Sequence, residues 1–184
     1  EAFIPDKKDK LFWCFYVMLH GEMEYLSIEN GHFKIEKDFK IDFVEKIRNH
    51  KDLLKTFKLK RNELENEFAN ESKITIKGLF ALCLVFNKSV LYVNGKKYFS
   101  LIGDHTITPN IIKQDQLLRE VKPQDVEKIK NNYWLMDVQR PIRGISSYTL
   151  KQLQDICTRL DILYEGKKYT KKVLYEKILL TIQG

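Results

Sequence analysis

The chain is poor in the residues that characterise disulfide-rich and collagen-like proteins, with three cysteines, eight glycines and four prolines among 184 residues. Cys14, Cys83 and Cys157 lie far apart, and no Cys-x-x-Cys or Cys/His spacing typical of a zinc site occurs. We therefore expect no disulfide framework, no metal site and no cofactor. Unpaired thiols indicate a reducing, intracellular compartment.

Long hydrophobic runs are also missing. The longest, 11–19 and 79–86, are shorter than the roughly 20 residues that a membrane-spanning helix needs. No charged-then-apolar signal segment opens the sequence, so no membrane partner is expected. The chain does have an apolar fraction of 43%, enough for a core, and a formal net charge of +7, which favours polyanionic partners such as DNA or RNA.

The pattern of the N-terminal part predicts mainly helices. Asp9 is expected to cap an almost wholly apolar helix from Lys10 to about His20, which Gly21 ends. Further helices are predicted over about 34–49, over 51–70, and from a cap at Thr75 onward.

The clearest strand signal is Ser89-Val-Leu-Tyr-Val, then Asn94-Gly95, then Lys97-Tyr-Phe-Ser-Leu-Ile. Asn-Gly between two such runs predicts a β-hairpin, because both turn residues must accept a positive φ. Pro123 predicts the first turn of a short helix that ends near Asn131. We expect an α+β fold: a mainly helical domain with a hairpin, or small antiparallel sheet, over 1–132, a linker over 133–145, and a second module over 146–184.

Two short helices are predicted in the second module. Thr149 can cap the first, whose apolar positions share one face, and Thr170 can cap the second. Helices this short are stable only when they pack on each other. Basic residues crowd the start of the second helix, namely Lys167, Lys168, Lys171 and Lys172. A helix start exposes free amide groups, so adjacent lysines favour a phosphate site.

This module resembles a SAP domain, a helix–extended–helix fold that binds DNA. The resemblance rests on Ser147-Tyr-Thr-Leu-Lys-Gln-Leu-Gln-Asp-Ile-Cys, Leu160-Asp-Ile and Gly166-Lys-Lys-Tyr-Thr-Lys-Lys-Val-Leu-Tyr. It implies that the start of each helix contacts nucleic acid, through Ser147, Thr149, Lys151, Lys167, Lys168, Thr170, Lys171 and Lys172. The family usually has Gly-Leu where Asp161-Ile162 stands here, and Gly where Thr170 stands. The alternative is an ordinary solvated lysine face on a protein-docking helix pair.

A second resemblance concerns Cys14, which lies in Leu-Phe-Trp-Cys-Phe-Tyr and is followed much later by Gly103-Asp104-His105. This order is similar to that of papain-like and OTU-like cysteine peptidases. It implies Cys14 as nucleophile, His105 as base, and Asp104 or Asn110 as the residue that orients the base. The alternative is that Cys14 is a small core residue, since no Gly-rich oxyanion segment precedes it.

The whole chain also resembles uncharacterised proteins of nucleocytoplasmic large DNA viruses, which combine a Leu-Phe-Trp-Cys-Phe-Tyr-like helix with a tail of the form Tyr-x-Leu-x-x-Leu-Gln. This implies a viral protein acting near DNA, in the nucleus or cytoplasmic factory of a host cell or in a virion. We therefore expect a non-enzymatic nucleic-acid-binding protein whose tail tethers the N-terminal domain to DNA during replication, transcription or packaging. Two alternatives remain open: a cysteine peptidase or deubiquitinase targeted by the same tail, and a virion structural component.

Overall fold

A computed structural model describes residues 1–164 and 169–183 and divides the chain into two compact units. The larger unit comprises Glu1–Tyr92 and Leu101–Val121, and the smaller comprises Val93–Ser100 and Lys122–Gly184. The α+β class expected from the sequence is confirmed. The smaller unit includes residues 93–100 and 122–132, which we expected to belong to the N-terminal domain over 1–132.

The two caps predicted in the larger unit, Asp9 and Thr75, each precede a helix, and this unit has six described helices. They are α1 (Lys10–His20), α2 (Glu22–Ser27), α3 (His32–Asn49), α4 (Lys51–Thr56), α5 (Arg61–Asn70) and α6 (Ile76–Val85). Asp9 Oδ1 accepts a hydrogen bond from the Phe12 amide at 3.3 Å, and Gly21 follows α1 with a φ of 90°. The single helical stretch predicted over 51–70 is instead α4 and α5, with Lys58 between them in the left-handed region at a φ of 58°.

Helix α1 lies in the core of the larger unit because it is apolar on nearly every side. Phe12, Trp13 and Phe15 are at most 1% exposed. At its start the buried carboxylate of Asp9 accepts hydrogen bonds from Lys40 Nζ at 2.6 Å and from the Ile74 amide at 2.9 Å. This ion pair allows two charges to be buried, since each has a hydrogen-bonded partner.

The described strands form one mixed six-stranded sheet in the order β1-β5-β4-β2-β3-β6. They are β1 (Ala2–Phe3), β2 (Ser89–Asn94), β3 (Lys97–Ile102), β4 (Asn110–Lys113), β5 (Gln116–Leu118) and β6 (Trp134–Leu135). Strand β5 pairs antiparallel with β1 and β4, while β3 pairs parallel with β6. The sheet is thus larger than the small antiparallel one expected. Asn94 ends β2, and Gly95 after it has a φ of 63°.

Strands β4 and β5 were not predicted. They are joined by Gln114 and Asp115, whose φ values are 48° and 64°, and Lys113 pairs with Gln116 across the turn. A two-residue turn with both φ values positive is the type I′ geometry. The turn residues here are Gln-Asp rather than Asn-Gly, so the strongest short-range hairpin signal is absent from this position.

The smaller unit is built around a helix pair. Its described helices are α7 (Pro123–Asn132), a short 3-10 helix (Ile145–Ser147), α8 (Leu150–Arg159) and α9 (Lys171–Gln183). The buried core between α8 and α9 consists of Leu153, Ile156, Cys157, Leu160, Leu174 and Ile178. Trp134 and Ile142 pack against this core, so the stretch expected to be only a linker contributes to the fold of the pair.

Candidate nucleic-acid interface

Both helices of the pair begin at the threonines predicted as caps. The Thr149 hydroxyl accepts a hydrogen bond from the Gln152 amide at 3.1 Å, and Gln152 Oε1 accepts one from the Thr149 amide at 2.8 Å. This reciprocal arrangement is a capping box. At the start of α9, the Thr170 hydroxyl accepts from the Val173 amide at 3.4 Å.

Helix α8 ends in a Schellman motif. The Ile162 amide donates to the Cys157 carbonyl at 2.8 Å and the Asp161 amide donates to the Thr158 carbonyl at 3.2 Å. Asp161 has a φ of 56°, the left-handed conformation that this motif requires. Its carboxylate lies 3.5 Å from Lys96 Nζ, so the end of α8 lies beside the segment 93–100.

Helix α9 ends beside the same segment. Lys97 Nζ donates to the carbonyl oxygens of Thr181 at 3.3 Å and Ile182 at 3.0 Å. A cation at a helix C-terminus interacts favourably with the helix dipole. Burial lowers the pKa of Lys97 from its ordinary value, while these carbonyl groups stabilise the ammonium form. Consecutive lysines, Lys96 and Lys97, therefore contact the ends of both helices.

We infer from these contacts that α8 and α9 run in the same direction and that their starts lie at the opposite end of the pair; the 3-10 helix just before α8 also contacts α9. A helix of ten residues, such as α8, is about 15 Å long. The Tyr175 hydroxyl, in the second turn of α9, donates to the Arg143 carbonyl at 2.8 Å. This bond holds the segment before α8 against the first turns of α9, as expected if the two helices run in the same direction.

The predicted contact residues that the structure describes occupy this end. Ser147 ends the 3-10 helix, Lys151 is in the first turn of α8, and both are exposed. Thr149 and Thr170 are exposed caps, whereas Lys171 and Lys172 form the first turn of α9. Lys167 and Lys168 lie outside the described residues.

In the described part of this end, one carboxylate forms an ion pair with a lysine of the group. Glu176 Oε1 lies 4.0 Å from Lys172 Nζ, and the lysine side chain is 80% exposed. An exposed pair one helical turn apart contributes only about 0.3–0.5 kcal/mol. The pair is therefore too weak to keep Lys172 from a phosphate.

Charge is divided unevenly between the two units. The larger unit has 18 basic and 18 acidic residues, whereas the smaller has 14 basic and 7 acidic ones. The whole formal surplus of +7 therefore belongs to the smaller unit. The composition alone could not reveal this, because the smaller unit is made of two separate stretches of chain.

Cys14 is fully buried in the larger unit. Its thiol donates a hydrogen bond to the Asp115 carbonyl oxygen, with 3.5 Å between sulfur and oxygen. Burial, followed by the nearby Asp115 carboxylate, raises the pKa of the thiol to about 12, although Lys10 acts in the opposite direction. These surroundings stabilise the thiol and disfavour the thiolate that a nucleophile requires.

The other residues of the suggested triad have different partners. The Asp104 carboxylate accepts hydrogen bonds from the Thr106 amide at 2.8 Å and the Thr106 hydroxyl at 2.6 Å, which lower its pKa. His105 is exposed in the same loop. Asn110 Nδ2 donates to the Ser89 carbonyl at 3.5 Å. The described contacts therefore do not assemble Cys14, His105 and Asp104 into a catalytic triad.

The residues whose distant contacts orient the helix pair could not be predicted from the sequence. Lys97 and Tyr175 act through side-chain bonds to main-chain carbonyl groups 84 and 32 residues away. Such bonds have no local sequence signal, whereas the Thr149 and Thr170 caps do.

Within residues 1–164 and 169–183, no group of three or more His, Cys, Asp or Glu side chains is arranged to hold a metal ion. None of the helices in this described part is both long and apolar enough to cross a bilayer. No protein-family model matches the chain, and neither a curated protein nor a solved structure matches it.

Proposed function

We infer that the smaller unit binds nucleic acid, DNA in the first place, through the end at which α8 and α9 begin. The observation that carries this proposal is the location of the charge: the whole positive surplus belongs to the smaller unit, and three of its lysines, Lys151, Lys171 and Lys172, occupy the first turns of the two helices. RNA, whose backbone carries the same phosphates, is the alternative polyanion.

The helix starts add to this electrostatic attraction. An α-helix leaves its first four amide groups without an intrahelical acceptor. Each threonine cap accepts from one amide in the helix that it begins. The remaining amide groups and the positive ends of two helix dipoles favour an anion at this end.

The resemblance to a SAP domain gains support from the geometry of Asp161. The family usually has glycine at this position, and Asp161 has a φ of 56° at the end of α8. Glycine adopts this conformation without steric cost, and aspartate is one of the few other residues that tolerate it. The departure from the family pattern is therefore compatible with the same chain path.

On this proposal the smaller unit tethers the larger one to DNA, during replication, transcription or packaging in a virus. Few phosphates are neutralised, so the expected binding is weak. Because the attraction is electrostatic, the affinity falls as the salt concentration rises, with a slope of about one for each phosphate neutralised. Contacts made by the caps and lysines go to the backbone rather than to base edges, and the expected sequence preference is small.

The test is fluorescence anisotropy with labelled duplex DNA and RNA at several salt concentrations. The triple variant Lys151→Ala, Lys171→Ala, Lys172→Ala should bind at least about tenfold more weakly, with the slope of log K against log salt reduced by about three. The matched control is Lys37→Ala, Lys55→Ala, Lys73→Ala, which removes three exposed lysines of the larger unit and the same net charge. The control should bind like the wild type. Equal losses in both variants, or no binding by the wild type, would contradict the proposal.

A further inference from the structure

Arg143 lies in the segment before α8, and hydrogen bonds hold its main chain in place near the starts of both helices. The Tyr175 hydroxyl donates to the Arg143 carbonyl at 2.8 Å, and the Arg143 amide donates to the Tyr148 hydroxyl at 3.1 Å. On its N-terminal side, Ile142 packs against the core of the helix pair. The main chain of Arg143 is thus attached to the fold on both sides.

The side chain of Arg143 is also held in place. Its guanidinium carbon lies 5.6 Å from the centroid of the Tyr148 ring, within the range of a cation–π contact. The ring of Tyr148 itself packs against the core of the pair. A guanidinium held near an aromatic ring still has its N–H donors at the edge of its own plane, where they can reach a phosphate.

The guanidinium of Arg143 forms no ion pair with a described residue. The residue is exposed, and none of the ion pairs among the described residues involves it. An exposed arginine normally loses rotamer freedom when it binds an anion. Contacts that order the side chain beforehand reduce this cost, and a preordered donor therefore binds more tightly than a mobile one.

We propose that Arg143 is a nucleic-acid contact and that Tyr148 and Tyr175 are its positioning residues. The ligand group is a backbone phosphate, recognised by the guanidinium next to the lysines of α8 and α9. This inference rests on the function proposed above and adds to it a residue that the resemblance did not indicate. It also gives the tyrosines a role beyond packing.

The test compares single variants with the wild type in the same anisotropy titrations. Arg143→Ala should weaken binding about threefold to tenfold and reduce the salt slope by about one. Tyr175→Phe keeps every charge and removes only the bond to the Arg143 carbonyl, so it should weaken binding with an unchanged salt slope. The affinity of Arg143→Lys should fall between those of the wild type and Arg143→Ala, because the charge is kept and the planar guanidinium is lost.

Arg140→Ala is the matched control. It removes an exposed arginine three residues earlier, whose amide donates to Asp137 Oδ1 rather than to a tyrosine. Weaker binding by Arg143→Ala than by Arg140→Ala supports the proposal; equal affinities of these two variants overturn it. If the wild type binds, the triple lysine variant binds more weakly, and Arg143→Ala binds like the wild type, only this inference fails. If the wild type does not bind, the function proposed for the helix pair fails as well.

Discussion

The carboxylate of Glu67 in the larger unit has two oxygens in different surroundings. Oε1 accepts a hydrogen bond from the Thr75 hydroxyl at 2.6 Å, whereas Oε2 is buried and has no hydrogen-bond partner among the described residues. Burial raises the pKa of Glu67, and the Thr75 bond offsets part of that effect. Because the pKa in the folded state lies above that in the unfolded state, the folded state binds the proton more tightly. The stabilisation is present at low pH and is lost as the pH rises through the raised pKa.

Glu67→Gln removes this titration and should change the pH dependence of stability. From about pH 4.5 upward, the free energy of unfolding of the wild type should fall relative to that of Glu67→Gln, and the difference should level off above the raised pKa. Urea unfolding of both proteins at several pH values measures the difference. In a Thr75→Val background the total fall should be larger and should extend to higher pH, because the hydrogen bond that offsets the rise in the pKa of Glu67 is gone. A wild type that gains stability over Glu67→Gln as the pH rises would show that the pKa is shifted in the other direction.

At the scale of the element, helix α8 has one threonine at its start and another inside it, and their hydroxyl groups bond differently. The Thr149 hydroxyl caps the helix, whereas the Thr158 hydroxyl donates to the Gln154 carbonyl within it at 3.0 Å. Thr149→Ala should lower the free energy of unfolding by about 1 kcal/mol, since an amide loses its acceptor. Thr158→Ala should leave stability unchanged or raise it slightly, because alanine is the better helix former. Chemical denaturation followed by tyrosine fluorescence measures both, and equal effects would mean that the capping box does not contribute.

Helices with a side-chain cap could be predicted from the sequence, whereas short strands could not. Asp9, Thr75, Thr149 and Thr170 mark helix starts because a cap is a local signal. Strands β4 and β5 have four and three residues, too few for periodicity to separate a strand from other structure. At the candidate interface the caps and lysines could be predicted, but the common direction of α8 and α9 depends on distant contacts of Lys97 and Tyr175.

At the scale of the whole molecule, overall charge and local charge are different quantities. A net charge of +7 on 184 residues is a modest surplus when it is averaged over the chain. Located in the smaller unit, the same surplus amounts to twice as many basic as acidic residues. An electric field of this kind acts over about 10 Å at 0.1 M salt, so it attracts a polyanion to one unit and leaves the balanced unit without a net attraction.

Hydrogen exchange of the intact protein with and without duplex DNA can locate the amide groups that the bound DNA protects. At low salt, DNA should slow exchange in residues 143–152 and 169–176, because amide groups at the helix starts exchange readily until a phosphate covers them. Exchange in α1 and α6, which are buried in the larger unit, should not change. Raising the salt concentration to about 0.5 M should abolish the protection, since counterion release drives the binding. At low salt and the same DNA concentration, the triple lysine variant should show less protection than the wild type. Protection that appears in the larger unit instead would locate the nucleic-acid contact away from the helix pair.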